Sequence, residues 1–579
     1  MKQWMMKKNP ADLKKIAERY HISEILAEVL VKRGLYDWNA IDDYLYPSMD
    51  NLHTAHDIYD LDLSLDIIKE KIKRHQKIQV IGDYDVDGVM STAILVLGLR
   101  RLGADVSWRV PHRQRDGYGL RSYMVEQARE KGIDTIITCD NGISAWDAVV
   151  RAKELGMTMI VTDHHDVPLD NDTGEERIPP ADAVVDPKRK ESRYPWREMC
   201  GAGLVYRLIA ELYAGREDEE FLNELLSMAA VATVCDVVPL QRENRTIVSC
   251  GLEFLQHSTN KGLASLIRQL DLNRAVDSGC IGFRIGPCIN AAGRLEDAST
   301  GVKLMLEADQ EKADKLAGEL IRLNESRKDI TARSTELAEK QIEEEGYLSR
   351  NVLVVFVEQC PESVAGIVAG RIKEKYYRPT MILTRSGDHL KGSGRSIPGY
   401  HMQQELNACG DLLLEYGGHA MAAGFSLEEN NLDILRDTLN QRCTLTRKEL
   451  MEKVTIDREV SLAEIDGNLV RELNYLQPVG EKNEGALFAR RGLEILSVKI
   501  RGKEGQVGSF MAVDQGRCYN LVDFRIDQCM KREICEKYSE QMWLDLIDGR
   551  ARDCFMDIIY IPKINERYQE LQYTIVDCR

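Results

Sequence analysis

Acidic and histidine side chains recur at the ends of short apolar runs in the first third of the chain. Residues 83–88 read Asp-Tyr-Asp-Val-Asp-Gly, residues 140–142 read Asp-Asn-Gly, and residues 163–166 read Asp-His-His-Asp. Carboxylate oxygens with one or two imidazoles form a ligand set that suits Mn²⁺ or Mg²⁺ better than soft metals. Two such ions about 3.5–4 Å apart could hold both the attacking and the leaving oxygen of a phosphoryl displacement.

The same residues also have ordinary structural interpretations. Asp-Gly and Asn-Gly pairs are common in turns, and an aspartate after a strand often caps a helix. Residues 83–88 alone could equally form a calcium loop or a plain turn. The metal interpretation therefore depends on the three clusters meeting at one place.

A parallel sheet would bring the clusters together. From about residue 60 to residue 190, strand-like runs alternate with helical segments, which predicts right-handed βαβ units. The strands are expected near residues 77–83, 106–110, 135–140, 159–163 and 183–186. In an open parallel sheet the carboxyl ends of the strands form the binding crevice. The acidic and histidine clusters would then share one rim.

The rest of the chain predicts a second lobe and a small β domain. Residues 200–300 look mainly helical, and a proline-free, charge-rich helix from about 310 to 345 would span roughly 50 Å and connect two lobes. A second α/β unit follows and ends in a glycine-rich stretch at 416–425. Beyond about residue 450, short strand-like runs alternate with turns, which is typical of a small barrel or sandwich.

Composition places the chain among multidomain globular proteins. It has 579 residues, of which 44% are hydrophobic and 30% charged. The net charge of −17 argues weakly against a nucleic-acid coat protein, although a local groove can differ in sign.

No apolar stretch approaches the roughly 18 residues of a membrane helix, and the first 15 residues lack the apolar core of a signal peptide. The 14 cysteines include no Cys-x-x-Cys pair, so we expect a cytoplasmic protein with reduced thiols and no membrane contact.

Two basic segments are candidates for phosphate contact. The first is a basic lip over the crevice, for which a solvated loop is the alternative. Its members would be Arg109, His112, Arg113, Arg115 and Tyr118. The second is formed by Asn290 and Arg294 around an Ala-Ala-Gly turn, where a ligand can approach the backbone closely at little steric cost. A bidentate arginine suits phosphate, which favours a phosphate clamp there.

Taken together, these motifs resemble those of the DHH phosphoesterases. Within that superfamily the chain is similar to the RecJ-type single-strand-specific exonucleases. The match runs in order over roughly residues 55–500. Further matching stretches are 232–240, 290–294, 393–396, 417–424 and 476–480.

The resemblance implies two divalent ions, Mn²⁺ or Mg²⁺, and a role for each site residue. The implied metal ligands are Asp85, Asp87, Asp140, His164 and Asp236, with Asp140 bridging the ions. Asp83 would lie beside the first ion, and His165 would face the scissile phosphate. The implied substrate-binding residues, together with Arg109 and Asn290 from the basic segments, are Arg294, Ser393, Arg395 and His419. Some superfamily members place a histidine four residues before the first carboxylate of the Asp-x-Asp pair, where this chain has Ile81, so the strength of the first metal site depends on Asp83.

The implied fold is α/β. A parallel-sheet DHH domain is joined by a long helix to a second α/β domain of the DHHA1 type, and a small OB-like β-barrel follows. The expected ranges are 1–50 for an N-terminal helical segment, 51–308 for the DHH catalytic domain, 309–345 for the connecting helix, 346–446 for the DHHA1-type domain and 447–579 for the OB-like nucleic-acid-binding domain.

The implied function is a metal-dependent exonuclease that degrades single-stranded DNA from 5′ to 3′ in DNA repair and recombination. A helicase and a single-strand-binding protein are the implied protein partners. Two alternatives stay open: a small-substrate phosphoesterase that hydrolyses oligonucleotides or pyrophosphate, and a non-catalytic replication scaffold. The chain length and the extra barrel weigh against the first alternative, and the retained carboxylates weigh against the second.

Overall fold

The computed structural model describes residues 2–6, 12–113, 115–117, 119–170, 172–272, 275–502, 505–565 and 569–579. Tyr118, a member of the expected basic lip, lies outside the described residues. The chain divides into two compact units: Pro47–Thr446 with Gly480–Lys482, and Met1–Tyr46 with Arg447–Val479 and Asn483–Arg579. Within the part of the chain that the structure describes, every helix is too short or too polar to span a bilayer.

The chain begins with a short strand and three helices. These are β1 (Gln3–Met6), α1 (Leu13–Tyr20), α2 (Glu24–Lys32) and α3 (Trp38–Leu45). The sequence predicts helices in this region but not the strand β1, which the structure shows in addition.

A five-stranded parallel sheet forms the centre of the following part, as predicted. Its strands are β2 (Ile78–Ile81), β3 (Val106–Arg109), β4 (Thr135–Cys139), β5 (Thr158–Thr162) and β6 (Ala183–Val185). Their order is β3-β2-β4-β5-β6, and all neighbouring pairs are parallel. The helices that accompany the sheet are α4 (Leu61–Lys73), α5 (Val86–Arg101), α6 (Ser122–Glu130) and α7 (Trp146–Glu154). Helices cover the sheet, so its central strands are buried along their whole length.

A mainly helical region completes this lobe. Its helices are α8 (Gly201–Leu212), α9 (Glu219–Cys235), α10 (Arg242–Leu255), α11 (Lys261–Gln269), α12 (Ser278–Cys280), α13 (Gly286–Leu295) and α14 (Ser299–Leu306). A π-helical turn, Ile281–Ile285, joins α12 to α13 without a break. The predicted long helix follows as α15 (Gln310–Glu344), whose 35 residues extend about 52 Å.

The second α/β lobe is built on a mixed sheet. Its elements are β7 (Leu353–Phe356), α16 (Glu362–Tyr376), β8 (Thr380–Ser386), β9 (His389–Arg395), α17 (Met402–Asn407), β10 (Glu415–Gly418), β11 (Ala422–Leu427) and α18 (Leu432–Arg442). The strand order is β10-β11-β9-β8-β7, and only β7 and β8 are parallel. The end of α15 contributes Ala338 and Ile342 to the core of this lobe, so the connecting helix is packed rather than free.

The C-terminal part forms the predicted small barrel. Its elements are β12 (Lys453–Ile456), β13 (Arg458–Glu459), α19 (Gly467–Glu472), β14 (Phe488–Arg501), β15 (Val507–Asp514), β16 (Arg517–Asp523), α20 (Met530–Lys537), α21 (Glu540–Ile547), β17 (Phe555–Asn565) and β18 (Glu570–Cys578). The ladder runs β14-β15-β16-β18-β17, and β17 pairs back with β14, which closes a five-stranded barrel.

The N-terminal helices share the core of this barrel. Leu26, Leu30 and Ile41 are fully buried in the same apolar cluster as Phe488 and Phe510. The strand β1 pairs in parallel with β12. The first residues of the chain and the barrel residues therefore form one unit, although more than 400 residues separate them in sequence.

Candidate metal centre

The acidic and histidine clusters lie together at the carboxyl ends of adjacent parallel strands. The strand β2 leads into Asp83 and Asp85, β4 leads into Asp140, and β5 leads into His164. Asp236 does not follow a strand; it is the C-cap residue of the helix α9. Neighbouring parallel strands end at the same edge of a sheet, so these side chains converge on one rim.

The His164 imidazole is the centre of one group of ligand atoms. Its Nε2 lies 3.0 Å from Asp140 Oδ1, 3.4 Å from Asp87 Oδ2 and 3.8 Å from Asp236 Oδ2. In a second group the ligand atoms lie within 4.8 Å of one another; its members are Asp83, Asp85 and Asp140. Asp140 contacts both groups, which is the position that a bridging ligand must occupy.

The electrostatics of the site fit divalent cations. Burial, followed by the charge of Asp85, raises the pKa of Asp87 to about 7. Burial and neighbouring carboxylates also hold the pKa values of Asp83, Asp140 and Asp236 well above their usual range. Among the described residues, no hydrogen-bond donor reaches the buried Asp83 Oδ1. Carboxylate oxygens that are crowded together and repel one another are a donor set that Mn²⁺ or Mg²⁺ would satisfy.

The two adjacent histidines have opposite charge states. Burial and the neighbouring His165 lower the pKa of His164 to about 4, so His164 is neutral, as a metal ligand must be. Burial also opposes charge on His165, but its hydrogen bond to Asp163 and the surrounding carboxylates raise its pKa to about 9. His165 is therefore an imidazolium at neutral pH, directly beside the candidate metal ligands.

Asp163 orients both histidines. Its Oδ1 lies 2.7 Å from His165 Nδ1 and accepts a hydrogen bond from the His164 amide at 2.8 Å. Its Oδ2 accepts from the Ile143 amide at 2.9 Å, which anchors the loop after β4. Burial tends to raise the pKa of Asp163, but the hydrogen bond and charge of His165 hold it below its usual range. The two residues therefore form an ion pair at Nδ1 of His165, an atom that also lies 3.9 Å from Asp140 Oδ1.

The N-terminus of α8 holds Asp87 in place. The amides of Gly201 and Ala202 donate to the two carboxylate oxygens of Asp87 at 2.6 and 2.7 Å. A Cβ atom on Gly201 would lie 2.9 Å from Asp140 Cβ and 3.0 Å from Asp87 Oδ2. Only glycine allows α8 to approach the carboxylates this closely, and the unpaired amides of a helix N-terminus suit a negative group.

The loops at the rim are tied to the sheet. Asp140 has a left-handed backbone (φ 58°), which is uncommon for a residue other than glycine. The side-chain Nδ2 of Asn141 donates to the Ile81 carbonyl at 3.1 Å and to the Cys139 carbonyl at 2.9 Å, which joins the ends of β2 and β4. The Ile81 side chain lies in the apolar core with Leu120, so this position contributes only its backbone to the site.

Beside the metal centre lies an arginine cluster, which consists of Arg113, Arg294, Arg327 and Arg395. Burial and then the charges of Arg113, Arg327 and Arg395 lower the pKa of Arg294 to about 10. Burial and the charge of Arg113 also lower the pKa of Arg395. The four arginines are half-buried, and cations that repel one another form a ready site for an anion with several oxygens, such as phosphate.

The arginine cluster is assembled from both lobes of this unit. Arg294 on α13 donates to the Ser363 carbonyl at the start of α16 at 2.9 Å. Arg395 at the end of β9 donates to the Gly394 carbonyl at 2.7 Å and to Ser393 Oγ at 3.4 Å. A Cβ atom on Gly366 of α16 would lie only 2.7 Å from the Arg395 guanidinium, so a larger residue there would shift that guanidinium.

Tyr84 links the arginine cluster to the metal centre. The Arg113 guanidinium lies 5.0 Å from the centroid of the Tyr84 ring, at the distance of a cation–π contact. The residues on either side of Tyr84 are Asp83 and Asp85, which belong to the second ligand group. One short loop therefore carries carboxylates for the metals and an aromatic support for an arginine.

The other predicted substrate-binding residues have different positions. Asn290 is half-buried on α13, one turn before Arg294. His419 is exposed in the turn between β10 and β11, close enough that its charge adds to that of Lys188 in lowering the pKa of Asp166. The Arg109 guanidinium is instead held against α6, where it donates to residues Gln127 at 2.7 Å and Tyr123 at 3.3 Å. The structure therefore does not bring Arg109 into the arginine cluster.

Sequence reasoning assigned no role to several of these groups. Asp163 could have been recognised, because it stands directly before the two histidines at a strand end. The Tyr84 ring and the α8 amides carry no such signal, because tyrosine and glycine are common in loops. Arg327 lies within the charge-rich helix α15, where one arginine cannot be distinguished from its solvated neighbours.

Three family comparisons cover most of the chain. Residues 77–233 match the DHH family, N-terminal domain; residues 349–445 match the DHHA1 domain; and residues 456–577 match the RecJ OB domain. The order of the three matches agrees with the order of the parallel-sheet lobe, the second lobe and the barrel.

Known proteins resemble the chain over most of its length. The single-stranded-DNA-specific exonuclease RecJ of Bacillus subtilis is 34% identical over 488 residues, which cover 83% of this chain and 60% of that relative. This chain thus spans less than two thirds of the Bacillus protein. RecJ of Salmonella typhimurium is 35% identical over 491 residues, covering 81% of this chain and 84% of the relative. The crystal structure of RecJ in complex with Mn²⁺ from Thermus thermophilus superposes with a TM-score of 0.80 at 26% identity, covering 100% of this chain and 79% of that one.

The close approach of α8 predicts a metal-binding defect. We expect Gly201→Ala to weaken Mn²⁺ binding roughly 10- to 100-fold, the usual cost of displacing groups that position metal ligands. The matched control is Gly203→Ala on the same helix, where a Cβ would meet nothing nearer than 3.6 Å. Isothermal titration of each variant with Mn²⁺ measures the difference. Equal affinities for the two variants would contradict the positioning role of the α8 N-terminus.

Proposed function

The chain belongs to the RecJ family of single-stranded-DNA-specific exonucleases, and from this membership we propose that it degrades single-stranded DNA from the 5′ end with two divalent metal ions. The observation that carries the proposal is the adjacency of two sites. Two ligand groups share Asp140, and the half-buried arginine cluster lies beside them. A phosphodiester that spans both sites would have one phosphate at the metals and a neighbouring phosphate at the arginines.

The residues of the metal centre have different roles in the proposed reaction. When bound, the divalent ions supply positive charge to the phosphoryl oxygens and favour ionisation of the attacking water. His164 stays neutral and ligates, whereas His165 stays charged through its pairing with Asp163. The imidazolium of His165 would donate to a phosphoryl oxygen where negative charge grows in the transition state.

The arginine cluster supports recognition of a 5′-terminal phosphate. A terminal phosphate carries nearly two negative charges at neutral pH, whereas an internal phosphodiester carries one. Arg294 and Arg395 repel each other and share Arg113 as a neighbour, so they gain most from the more highly charged group. Ser393 lies beside Arg395 and would add a hydroxyl donor. Preference for the terminal phosphate sets the direction of degradation as 5′ to 3′.

The surrounding fold supports selectivity for a single strand. Both lobes of the larger unit contribute to the arginine cluster, and a crevice between them that fits one strand would exclude a duplex. The OB-type barrel would add sequence-tolerant binding of the strand. Because a duplex offers no free strand, a helicase and a single-strand-binding protein are the partner classes that such an enzyme requires. We place this activity in DNA repair and recombination in the cytoplasm.

Labelled substrates test the proposal directly. With Mn²⁺, we expect the purified protein to release nucleotides stepwise from the 5′ end of a long single strand and to leave a blunt duplex intact. Asp140→Asn keeps the left-handed backbone accessible but removes the charge shared by both ligand groups, so turnover should fall below detection while strand binding persists. Electrophoresis of 5′- and 3′-labelled strands and a binding assay in chelator are the measurements.

Each alternative function has a distinct outcome in that experiment. A small-substrate phosphoesterase would cleave a dinucleotide faster than the long strand. A non-catalytic scaffold would bind the long strand without cleaving it under any metal. Stepwise release from the 3′ end would overturn the proposed direction.

The arginine cluster predicts a defect in binding rather than in chemistry. We expect Arg395→Ala to raise KM more than it lowers kcat and to reduce the preference for a 5′-phosphate over a 5′-hydroxyl, because uniform binding loss appears in KM. Arg109→Ala is the matched control, since Gln127 and Tyr123 hold its guanidinium on α6. Steady-state kinetics on both substrates compare the variants. A collapsed kcat with unchanged KM in Arg395→Ala would count against this role.

The adjacent histidines predict two separable defects. His165→Ala should lower kcat roughly 10²- to 10³-fold, the scale of losing one donor to the transition state, and should retain its metal. His164→Ala should lose or weaken one ion, because its Nε2 is central to a ligand group. Metal analysis of the two purified variants, paired with single-turnover rates, separates the roles. Loss of metal from His165→Ala with retention in His164→Ala would reverse the assignment.

A further inference from the structure

An aromatic side chain near the metal centre is almost fully exposed. Phe283 is 82% exposed, more than any other large apolar side chain among the described residues. It lies in the π-helical turn Ile281–Ile285, a wide helical turn of a kind found frequently at functional sites. Exposing a phenylalanine to water forfeits the free energy of burying it, so its position calls for a partner.

The turn that carries Phe283 is pinned to the helix that supplies Asp236. A Cβ atom on Gly282 would contact Val234 of α9 at 3.7 Å, and one on Gly286 would lie 2.3 Å from Cys235 Sγ. Cys235 directly precedes Asp236, the α9 residue of the metal centre. The π turn is therefore packed against the ligand-bearing end of α9 rather than displaced from the site.

Phe283 lies on the same helical face as the phosphate-binding candidates. The helical segment is continuous from the π turn through α13, and four of its accessible residues are Phe283, Pro287, Asn290 and Arg294. Burial of the other side of the segment places these four on its solvent-facing side. The opposite face is buried in the core through Ile281, Ile285, Cys288, Ile289 and Ala292. Arg294 follows Phe283 by eleven positions, which corresponds to about 16 Å along the helix.

A second exposed apolar residue stands at the end of α9. Val237 is 63% exposed and has a left-handed backbone (φ 59°), a strained conformation for a β-branched residue. It directly follows Asp236. Strain of this kind persists where surrounding structure enforces it, and it is concentrated at functional sites. Val237 and Phe283 thus present apolar surface on two elements that are packed together.

We propose that Phe283 is a stacking platform for a nucleobase of the single strand, at the far end of a track that begins at Arg294. This inference rests on the proposed function. Arginine and amide groups at one end of the face suit the sugar–phosphate backbone, and an aromatic ring at the other end suits the π face of any base. The occupant of the ring is therefore a nucleobase of the same strand whose phosphate is held at Arg294.

The track implies a dependence on strand length. A dinucleotide held at the arginine cluster cannot extend about 16 Å along the helix, so it gains nothing from Phe283. A strand several nucleotides long reaches the ring and gains one stacking interaction. Stacking on an aromatic residue is worth roughly a 5- to 100-fold change in affinity. KM should therefore fall with strand length in the wild type, and less so when the ring is removed.

Site-specific fluorescence tests whether a base stacks on Phe283. Single strands carry 2-aminopurine at successive positions from the 5′ end, and binding is measured in chelator so that no cleavage occurs. We expect quenching at one or two positions several nucleotides from the 5′ end in the wild type and in Phe283→Tyr, and loss of that quenching in Phe283→Leu. Leu169→Ala is the surface control, because Leu169 is 58% exposed in the loop after β5 and belongs to no part of the track.

Kinetics with Mn²⁺ complete the test. Phe283→Leu should raise KM on long strands roughly 5- to 100-fold and leave KM on a dinucleotide and Mn²⁺ affinity unchanged, whereas Phe283→Tyr should match the wild type. Identical quenching and KM in Phe283→Leu and the wild type would overturn the platform. If the wild type itself degrades no single strand, the proposed function fails, which is a different result from failure of the platform alone.

Discussion

Mutual repulsion among closely spaced carboxylates governs how the metal centre is built. Asp83, Asp87, Asp140 and Asp236 are withdrawn from water and lie close together, and burial with neighbouring charge raises the pKa of each. Such a group of carboxylates is stable only if protons or cations compensate it. The donor set therefore selects divalent cations, and the remaining elements of the lobe keep the carboxylates from moving apart.

Backbone groups, rather than cationic side chains, hold much of this centre in place. The α8 amides satisfy Asp87, and the left-handed conformation of Asp140 turns its carboxylate toward both ligand groups. Backbone amides carry only partial charge, so they position a carboxylate without competing fully with a metal. The His165 imidazolium nearby is paired with Asp163 at 2.7 Å.

The arginine cluster is the electrostatic complement of the metal centre. Its members repel one another just as the carboxylates do, and an anion relieves that repulsion. A net charge of −17 is therefore compatible with DNA binding, because the attraction would come from a local half-buried site and from bound cations rather than from the whole surface. Tyr84 places the two charge clusters side by side, since its ring supports Arg113 while its neighbours Asp83 and Asp85 belong to the metal centre.

Local sequence patterns were sufficient to predict the secondary-structure elements and the chemistry of the residues at their ends. Alternating apolar runs predicted the parallel sheet, the proline-free segment predicted α15, and strand-end aspartates and histidines predicted ligands at one rim. These features repeat over a few residues and depend on which side chains are buried, so they can be read locally.

Tertiary structure alone decided which distant groups meet. It placed the α8 amides on Asp87, gathered Arg113 and Arg327 around Arg294, and turned Arg109 onto α6. It also put the N-terminal helices into the core of the C-terminal barrel. Periodicity shows that a face is buried but not against which partner. Contacts between residues far apart in sequence leave no local pattern, because they are selected by packing of the whole chain.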